Sequence, residues 1–259
     1  MKLEGRSVII TGAGRGLGRA IALAVSREGA GVTIMSRSGD ELKAVAREMP
    51  DSAAEPLIVE GDVARSEEVS DLVNRSTERF SKVDVLVNNA AVIGPSRFLE
   101  DADVESWKRT IDINLSGAFF CARSAAPVMA ESGGGRIINI SSGLGRIPFP
   151  RFCAYSVSKA GIIQLTRSLS EELKPLNIQV NAIDPGVMDT SMQEEIRALG
   201  ASVLGESVYE RFVEYKNAGA LKNPAEVASL VVYLASREGA SLSGHFGTLD
   251  DYARLGWRQ

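Results

Sequence analysis

Histidine and cysteine, the side chains that most often bind transition metals, are almost absent from this sequence. Its 259 residues include one histidine, His245, and two cysteines, Cys121 and Cys153, which form no Cys-x-x-Cys pair. A zinc site needs three or four such ligands, so we predict no metal centre. Both thiols are expected to be reduced. Cys153 is expected to pack as a small buried hydrophobe, and the alternative is that it lines a substrate cleft. A Ser-His-Asp hydrolase would have to use His245, the one histidine, which lies near the C-terminus, so we do not predict a hydrolase of this kind.

The sequence also lacks a basic excess and a long apolar run. Its 29 lysines and arginines are outnumbered by 33 acidic residues, for a net charge of -4. We therefore expect no nucleic acid partner. The first apolar run begins only at Val8 and is too short for a signal peptide core or a membrane span. This favours a cytoplasmic protein without membrane contact.

What the chain does contain is typical of one folded α/β domain. Hydrophobic residues make up 44% and charged residues 24% of the sequence, and a chain of this length can build one core around a single sheet. We expect residues 1–259 to form a single domain. Short β-branched runs alternate with amphipathic stretches, which is the pattern of βαβ units. We predict strands near 7–11, 31–36, 56–61, 83–88, 135–141, 178–184 and 244–249. We predict helices near 17–28, 40–48, 67–80, 104–129, 154–173 and 224–235.

This alternation predicts a doubly wound Rossmann fold, with a seven-stranded parallel sheet and helices on both of its faces. No strand is visible between residues 184 and 224. Charged residues there surround the apolar Val203, Leu204, Tyr209 and Phe212. We predict that residues 190–222 form a substrate lid. The alternative is a solvated helical pair without substrate contact.

A glycine-rich turn follows the first predicted strand. It begins at Thr11 and reads Thr-Gly-Ala-Gly-Arg-Gly-Leu-Gly, ending at Gly18. Glycines at such a turn let the backbone approach a pyrophosphate at the N-terminus of the next helix, which predicts a dinucleotide site. The G-x-G-x-x-G pattern is not met by any choice of these glycines. What the turn matches is Thr-Gly-x-x-x-Gly-x-Gly.

Further motifs follow that turn in a fixed order. They are Asp62-Val63, Asn88-Asn89-Ala90, Asn114, Ser142, Tyr155-x-x-x-Lys159 and Pro185-Gly186. Together they resemble the short-chain dehydrogenase/reductase family, and within it the 3-oxoacyl carrier-protein reductases, over residues 7–190. Two departures stand out. Ala91 replaces the usual glycine after Asn-Asn-Ala, and the common Asp-Gly-Gly after the last strand is absent.

The resemblance implies catalytic roles for Asn114, Ser142, Tyr155 and Lys159. Tyr155 and Lys159 are four residues apart on a predicted helix, so both side chains leave the same face. A free phenol has a pKa near ~10, and a neighbouring ammonium stabilises its phenolate. Tyr155 would donate a proton to a carbonyl oxygen that Ser142 polarises. In the family, Lys159 also holds the nicotinamide ribose and Asn114 fixes a water that connects Lys159 to solvent. Ser141 is the close rival of Ser142.

The family's cofactor contacts map onto one set of positions: Gly12, Arg15, Gly16, Leu17, Gly18, Ser36, Arg37, Asp62, Val63, Asn89, Ala90, Tyr155, Lys159, Pro185, Gly186, Met188 and Thr190. Asp62 and Thr190 have an alternative role as helix caps. An enzyme that uses NAD(H) typically has a carboxylate at the end of its second strand. This chain has Ser36 and Arg37 there, and Arg15 in the turn, which favours NADP(H). Asp40 and Glu41 would weaken that preference if they fold back toward the ribose.

The expected function is that of an NADP(H)-dependent oxidoreductase acting on a small ketone or secondary alcohol. One alternative is a 3-oxoacyl carrier-protein reductase. We do not predict a dedicated one, because Gly133 and Leu176 stand where that subgroup commonly has basic residues. An alternative of another class is a dinucleotide-binding sensor without catalysis. We expect a homodimer or homotetramer, with subunits that meet through the Tyr155 helix.

Overall fold

The seven predicted strands form one parallel sheet. In the computed structural model, which describes residues 1–50 and 54–258, the strand order is β3-β2-β1-β4-β5-β6-β7. This confirms the predicted fold class. The order reverses between β1 and β4, and a parallel sheet binds ligands at that crevice, beyond the carboxyl ends of its strands. The strands are β1 Ser7–Thr11, β2 Gly31–Ser36, β3 Leu57–Glu60, β4 Val85–Asn88, β5 Gly135–Ile140, β6 Ile178–Ile183 and β7 Phe246–Gly247.

Helices cover both faces of this sheet. On one face, α1 and α10 share an apolar cluster that includes Ile21 and Val231, and on the other α3 and α5 contribute Leu72 and Met129. No helix in the described part of the chain is long and apolar enough to cross a membrane. The helices are α1 Gly16–Arg27, α2 Gly39–Arg47, α3 Ser66–Phe80, α4 Val104–Ile111, α5 Gly117–Glu131, α6 Cys153–Glu172, α7 Ser191–Ala198, α8 Gly200–Leu204, α9 Glu206–Asn217, α10 Pro224–Ala235 and α11 Leu249–Arg254.

The helix predicted over residues 104–129 is helical throughout, but it contains one π-helical turn that the sequence did not predict. A π-helical turn over Asp112–Ser116 separates α4 from α5. Inside it, the Asn114 side chain accepts a hydrogen bond from Val92 N at 2.8 Å and donates to Val92 O at 2.9 Å. Such turns occur mostly at functional sites, where one extra residue re-aims a side chain.

The last strand is shorter than predicted. It contains only two residues, because Thr248 caps α11 by a capping box with Asp251. The first residues after the strand therefore turn into a helix that buries Tyr252 and Trp257 against the core. This segment stands where the family commonly has Asp-Gly-Gly.

The structure also corrects the prediction that Cys153 is buried. It is exposed at the first position of α6, whereas Cys121 is buried. Burial raises the pKa of the Cys121 thiol to about 12, which leaves that thiol inert.

Residues 191–217 form α7, α8 and α9, which join through glycines in the left-handed region. Gly200 has φ 69° and Gly205 has φ 78°. The segment buries Ile196, Leu204 and Phe212 in one apolar cluster with Phe152 and Tyr155. Its helices therefore share an apolar cluster with Tyr155 and are not a solvated pair on their own.

A chain of buried amides crosses the middle of the sheet. Asn88 and Asn139 are register partners on β4 and β5, and Asn88 Nδ2 donates to Asn139 Oδ1 at 2.9 Å. Asn139 Nδ2 in turn donates to Thr166 Oγ1 on α6, also at 2.9 Å. We call Asn88, Asn139 and Thr166 the amide ladder. It joins two central strands and α6 through polar groups that water does not reach.

Candidate active site

The glycine turn packs so closely on its surroundings that two of its glycines, Gly12 and Gly18, have no room for side chains. A methyl group on Gly12 would lie 2.7 Å from Ala90 Cα, and one on Gly18 would collide with Gly12 O. The amide of Asn89 donates to Thr11 O and Gly12 O, both at 3.0 Å. Asn89 therefore clamps the turn through its side chain. Thr11 Oγ1 also accepts from Asn89 N, a contact that we did not assign from the sequence.

The N-terminus of α1, where Gly16, Leu17 and Gly18 lie, can receive an anion. Arg15 is the N-cap residue and its side chain makes no capping bond within the described chain, and the first turn carries no acidic residue. Its N–H groups are unsatisfied by the helix itself and aligned with the positive end of the helix dipole. A closely packed glycine cradle with free N–H donors fits the pyrophosphate of a dinucleotide.

The end of β2 places a carboxylate beside the predicted ribose contacts. A methyl group on Gly14 would lie 2.6 Å from Glu41 Oε2 and 3.1 Å from Ser36 Oγ. Glu41 thus folds back over the glycine turn. Arg37 is exposed. Arg15, the other predicted phosphate partner, makes an ion pair of 2.8 Å with Glu195 on α7.

Asp62, predicted at the adenine, follows β3. Its Oδ2 accepts from Arg109 at 2.7 Å and its Oδ1 accepts from Ala64 N at 3.0 Å. Burial would raise the pKa of Asp62, but these hydrogen bonds and the charges of Arg109 and Arg37 hold it below its ordinary value. Asp62 does not cap α3, because Arg65 is the N-cap residue. Val63 is buried beside it.

Tyr155 and Lys159 lie together on one face of α6. Tyr155 is 8% exposed and Lys159 is 2% exposed. Lys159 Nζ lies 5.6 Å from the centre of the Tyr155 ring and donates to Ile140 O at 2.7 Å. Burial raises the pKa of Tyr155 to about 12, against a hydrogen bond with Ser142 that lowers it. Burial also lowers the pKa of Lys159 to about 8.

The geometry separates Ser142 from its rival Ser141. Ser141 Oγ is buried and donates to Lys159 O at 3.0 Å, so its hydroxyl is used inside the core. Ser142 is half-buried, accepts from Leu144 N at 3.2 Å and lies within hydrogen-bond reach of Tyr155. Of the two, only Ser142 faces the phenol.

Asn114 borders a small cavity next to Lys159. Besides its bonds to Val92, its Nδ2 donates to Ser158 Oγ on α6 at 3.0 Å. The cavity has a volume of about 10 Å³ and also touches Thr11 and Asn88. Asn88 Oδ1 is buried and has no hydrogen-bond partner among the described residues. Polar and apolar side chains line the cavity together, and its volume is about the smallest that accommodates one water.

The predicted carboxamide contacts lie after β6. Gly186 has φ 72° and its N–H donates to Asp184 Oδ1 at 3.0 Å. Met188 pairs with Lys222, whose side chain lies against Gly186. The sequence did not point to Lys222, which lies outside every motif. Thr190 is the N-cap residue of α7 but makes no side-chain cap bond in the described chain.

Aromatic side chains pack in the same apolar cluster as Tyr155, and we call this cluster the apolar cover. Phe149 and Phe152 pack with ring centres 5.4 Å apart, and Phe152 and Phe212 with centres 6.0 Å apart. Phe149 and Phe152 come from the loop between Ser142 and α6, and Phe212 comes from α9. The cover is therefore apolar and shared between two segments.

The chain matches a known family of enzymes. The sequence model of the short chain dehydrogenase family matches residues 6–199, and the chain belongs to that family. This confirms the resemblance found in the motifs.

Particular relatives agree with this assignment. A 3-oxoacyl-[acyl-carrier-protein] reductase of Synechocystis sp. is 33% identical over 240 residues, which is 92% of each chain. A cis-4-hydroxycyclohexanecarboxylate dehydrogenase of Sinomonas cyclohexanicum is 34% identical over 95% of each chain. The crystal structure of levodione reductase superposes with a TM-score of 0.87 at 28% identity, covering 98% of this chain and all of that one.

Proposed function

We propose that the protein transfers a hydride between NADP(H) and a small ketone or secondary alcohol, with Tyr155 as the acid/base group. The observation that carries this proposal is the meeting of Tyr155, Lys159 and Ser142 beside the glycine turn, beyond the carboxyl ends of the strands. A dinucleotide-binding sensor would have no use for a buried lysine next to a buried phenol.

In the direction of reduction, Tyr155 donates its proton to the carbonyl oxygen, and Ser142 donates a hydrogen bond to the same oxygen. The bound nicotinamide supplies the hydride that the carbonyl carbon receives. The positive charge of Lys159 stabilises the phenolate that Tyr155 becomes, and Lys159 also binds the nicotinamide ribose. The products are the alcohol and the oxidised cofactor.

The phenolate then needs a new proton. The cavity beside Asn114 and Lys159 has room for the one water that would deliver it. Because the Asn114 amide is held by Val92 and Ser158, it keeps that wall of the cavity in place. We assign Asn114 to this relay.

Preference for NADP(H) rests on Ser36 and Arg37, because a guanidinium can bind a 2′-phosphate that a carboxylate would repel. Arg15 joins them once it exchanges its partner Glu195 for the phosphate. The Glu41 carboxylate opposes this preference, since it lies against Gly14 and Ser36. The remaining contacts, Asp62, Val63, Asn89, Ala90, Pro185, Gly186, Met188 and Thr190, would surround adenosine and carboxamide.

The apolar cover favours a substrate with an apolar body around its carbonyl. The named substrate of the Sinomonas dehydrogenase, a hydroxycyclohexanecarboxylate, supports a compact cyclic alcohol or ketone. The Synechocystis relative favours a carrier-linked thioester instead. Leu176, 43% exposed where a carrier reductase commonly has a cation, argues against a dedicated reductase of that kind.

The quaternary structure that we propose is a homodimer or homotetramer in the cytoplasm. Exposed apolar side chains lie on α5 and α6, among them Phe119 and Val157, with the Cys153 thiol nearby. Burial of such a patch between subunits would remove it from water.

The experiment is Tyr155→Phe. Without its proton donor, turnover should fall at least about a hundredfold, while the ring still packs and cofactor affinity stays within about threefold. Turnover is measured by cofactor oxidation over a panel of ketones, keto esters and acyl thioesters, and affinity by titration. Wild-type protein that binds cofactor but reduces no member of the panel would favour the sensor. Near wild-type turnover in the variant would reject Tyr155.

A further inference from the structure

Arg151 has a backbone conformation that needs an explanation. It lies on the loop between Ser142 and α6, and its φ of 70° is in the left-handed region. Two other non-glycine residues of the described chain, Ser81 and Asn177, have positive φ, and both are C-caps of helices. Arg151 precedes a helix instead. A long side chain in this conformation is strained unless its surroundings hold it there.

Contacts between the Arg151 guanidinium and its neighbours hold the residue in this conformation. Its Nη1 donates to Val203 O on α8 at 2.7 Å. Its central carbon lies 3.9 Å from the centre of the Phe98 ring, in the loop after β4. A methyl group on Gly205 would lie 3.4 Å from its Nη2. One side chain thus connects three segments that are distant in sequence.

The contacted part of the lid segment is its joint. Gly205, with φ 78°, separates α8 from α9, and Leu204 just before it is fully buried in the cluster that contains Tyr155. Carbonyls at the end of a short helix lack partners within the helix. A bond from Arg151 to Val203 O therefore secures the lid where its chain can turn most freely.

We propose that Arg151 is a positioning residue that latches the α8–α9 joint onto the loop between Ser142 and Tyr155. It holds the apolar cover in place over the carbonyl site, and its release opens the site for substrate and product. That this site binds a carbonyl substrate rests on the proposed function, but the effect of Arg151 on the α8–α9 joint can be measured without any substrate.

The chain offers a matched control on the same loop. Arg146 also stacks on an aromatic ring, with its central carbon 4.4 Å from the centre of Phe246, and also donates to a backbone carbonyl, Phe246 O, at 3.3 Å. These contacts are with β7, so Arg146 shares the chemistry of Arg151 but not its partner.

The test compares amide hydrogen exchange of the whole protein for wild type, Arg151→Gly and Arg146→Ala. Glycine accepts φ 70° without strain, so Arg151→Gly should lose the latch while its melting temperature does not fall. Exchange over residues 200–217 should then become about tenfold faster. Arg146→Ala should leave exchange there within about twofold of wild type. Arg151→Lys, which can still donate to Val203 O but cannot stack as a plane, should recover part of the protection.

Steady-state kinetics with a ketone that the enzyme reduces provide the second measurement. Because the cover forms part of the substrate site, the KM of Arg151→Gly should rise several-fold while kcat stays the same or increases. Unchanged exchange in Arg151→Gly would overturn the latch, and so would faster exchange with an unchanged KM. Equally faster exchange over residues 200–217 in Arg146→Ala would show that the effect belongs to the loop as a whole, and this would also overturn the latch. None of these outcomes depends on Tyr155→Phe, which tests the proposed function by itself.

Discussion

The two sides of the proposed site are built in different ways. On the cofactor side, the glycine turn is set by backbone contacts too close for any side chain and by the Asn89 amide. On the substrate side, Tyr155 lies in a cluster held by aromatic rings and by arginine contacts, on helices joined at left-handed glycines. The first kind of contact tolerates one residue type and the second tolerates many. The cofactor side should therefore respond to single changes far more sharply than the cover.

The largest effect is expected from Gly18→Ala, which would break the cofactor side. Its new methyl group would meet Gly12 O, a backbone atom that cannot move away. We expect cofactor affinity to fall at least about a hundredfold and stability to fall by about 2 kcal/mol or more. Calorimetric titration and thermal melting measure both.

Gly161→Ala is the control for this change. A methyl group there would meet only the end of the Leu115 side chain, which can rotate aside. If Gly161→Ala lowered cofactor affinity as much as Gly18→Ala, close backbone packing would not be what distinguishes the cofactor side.

A second effect follows from the buried Lys159, whose pKa is lowered to about 8 from an ordinary value of 10.5. Between these two values the unfolded chain binds the proton more tightly than the native protein does. Stability therefore rises with pH across this window, by up to about 3 kcal/mol relative to Lys159→Met. The charge that stabilises the phenolate is lost over the same window, so kcat/KM for reduction should fall by up to about tenfold per pH unit above pH ~8.

Denaturant unfolding at pH 7 and pH 10 for wild type and Lys159→Met measures the stability difference, and a pH profile measures kcat/KM. A stability difference that does not change with pH would show that Lys159 keeps its proton in the folded protein.

The cofactor preference should change by a smaller factor. In wild type, kcat/KM should favour NADPH over NADH, and Arg37→Asp should reduce that ratio about tenfold or more by repelling the 2′-phosphate. Glu41→Gln should raise the ratio a few-fold, because it removes the carboxylate beside Ser36. A ratio unaffected by both changes would show that the end of β2 does not distinguish the cofactors.

The smallest effect is expected on the substrate side. Carrier-linked and free 3-oxoacyl thioesters should be reduced with kcat/KM values within about threefold of each other, because Gly133 and Leu176 offer an acidic carrier no cation. A strong preference for the carrier-linked substrate would contradict this. Leu176→Lys, which adds the missing charge, should raise the rate with the carrier-linked form only.

What could be predicted from the sequence follows the same division. The strands, the glycine turn and the common face of Tyr155 and Lys159 depend on local periodicity and spacing, and all three are visible in the chain. The π-helical turn at Asn114 was not, since two side-chain hydrogen bonds of Asn114 are made with Val92, 22 residues away. The pairing of Arg15 with Glu195 and the role of Arg151 depend likewise on partners that only the tertiary structure brings near.

The amide ladder has a consequence for how the sheet assembles. The central strands β4 and β5 are buried on both faces and consist mostly of interchangeable aliphatic residues, so apolar packing alone distinguishes poorly between correct pairing and a slipped one. Asn88 and Asn139 are opposite each other in one alignment only. A slip that placed Asn88 opposite Ile140 would also place Asn139 opposite Val87, and the separation of the two amides inside the core would cost about 1–3 kcal/mol per unpaired group. The amide ladder thereby selects the correct strand alignment. It adds little to the stability of the native protein, but it raises the free energy of states in which β4 and β5 are misaligned.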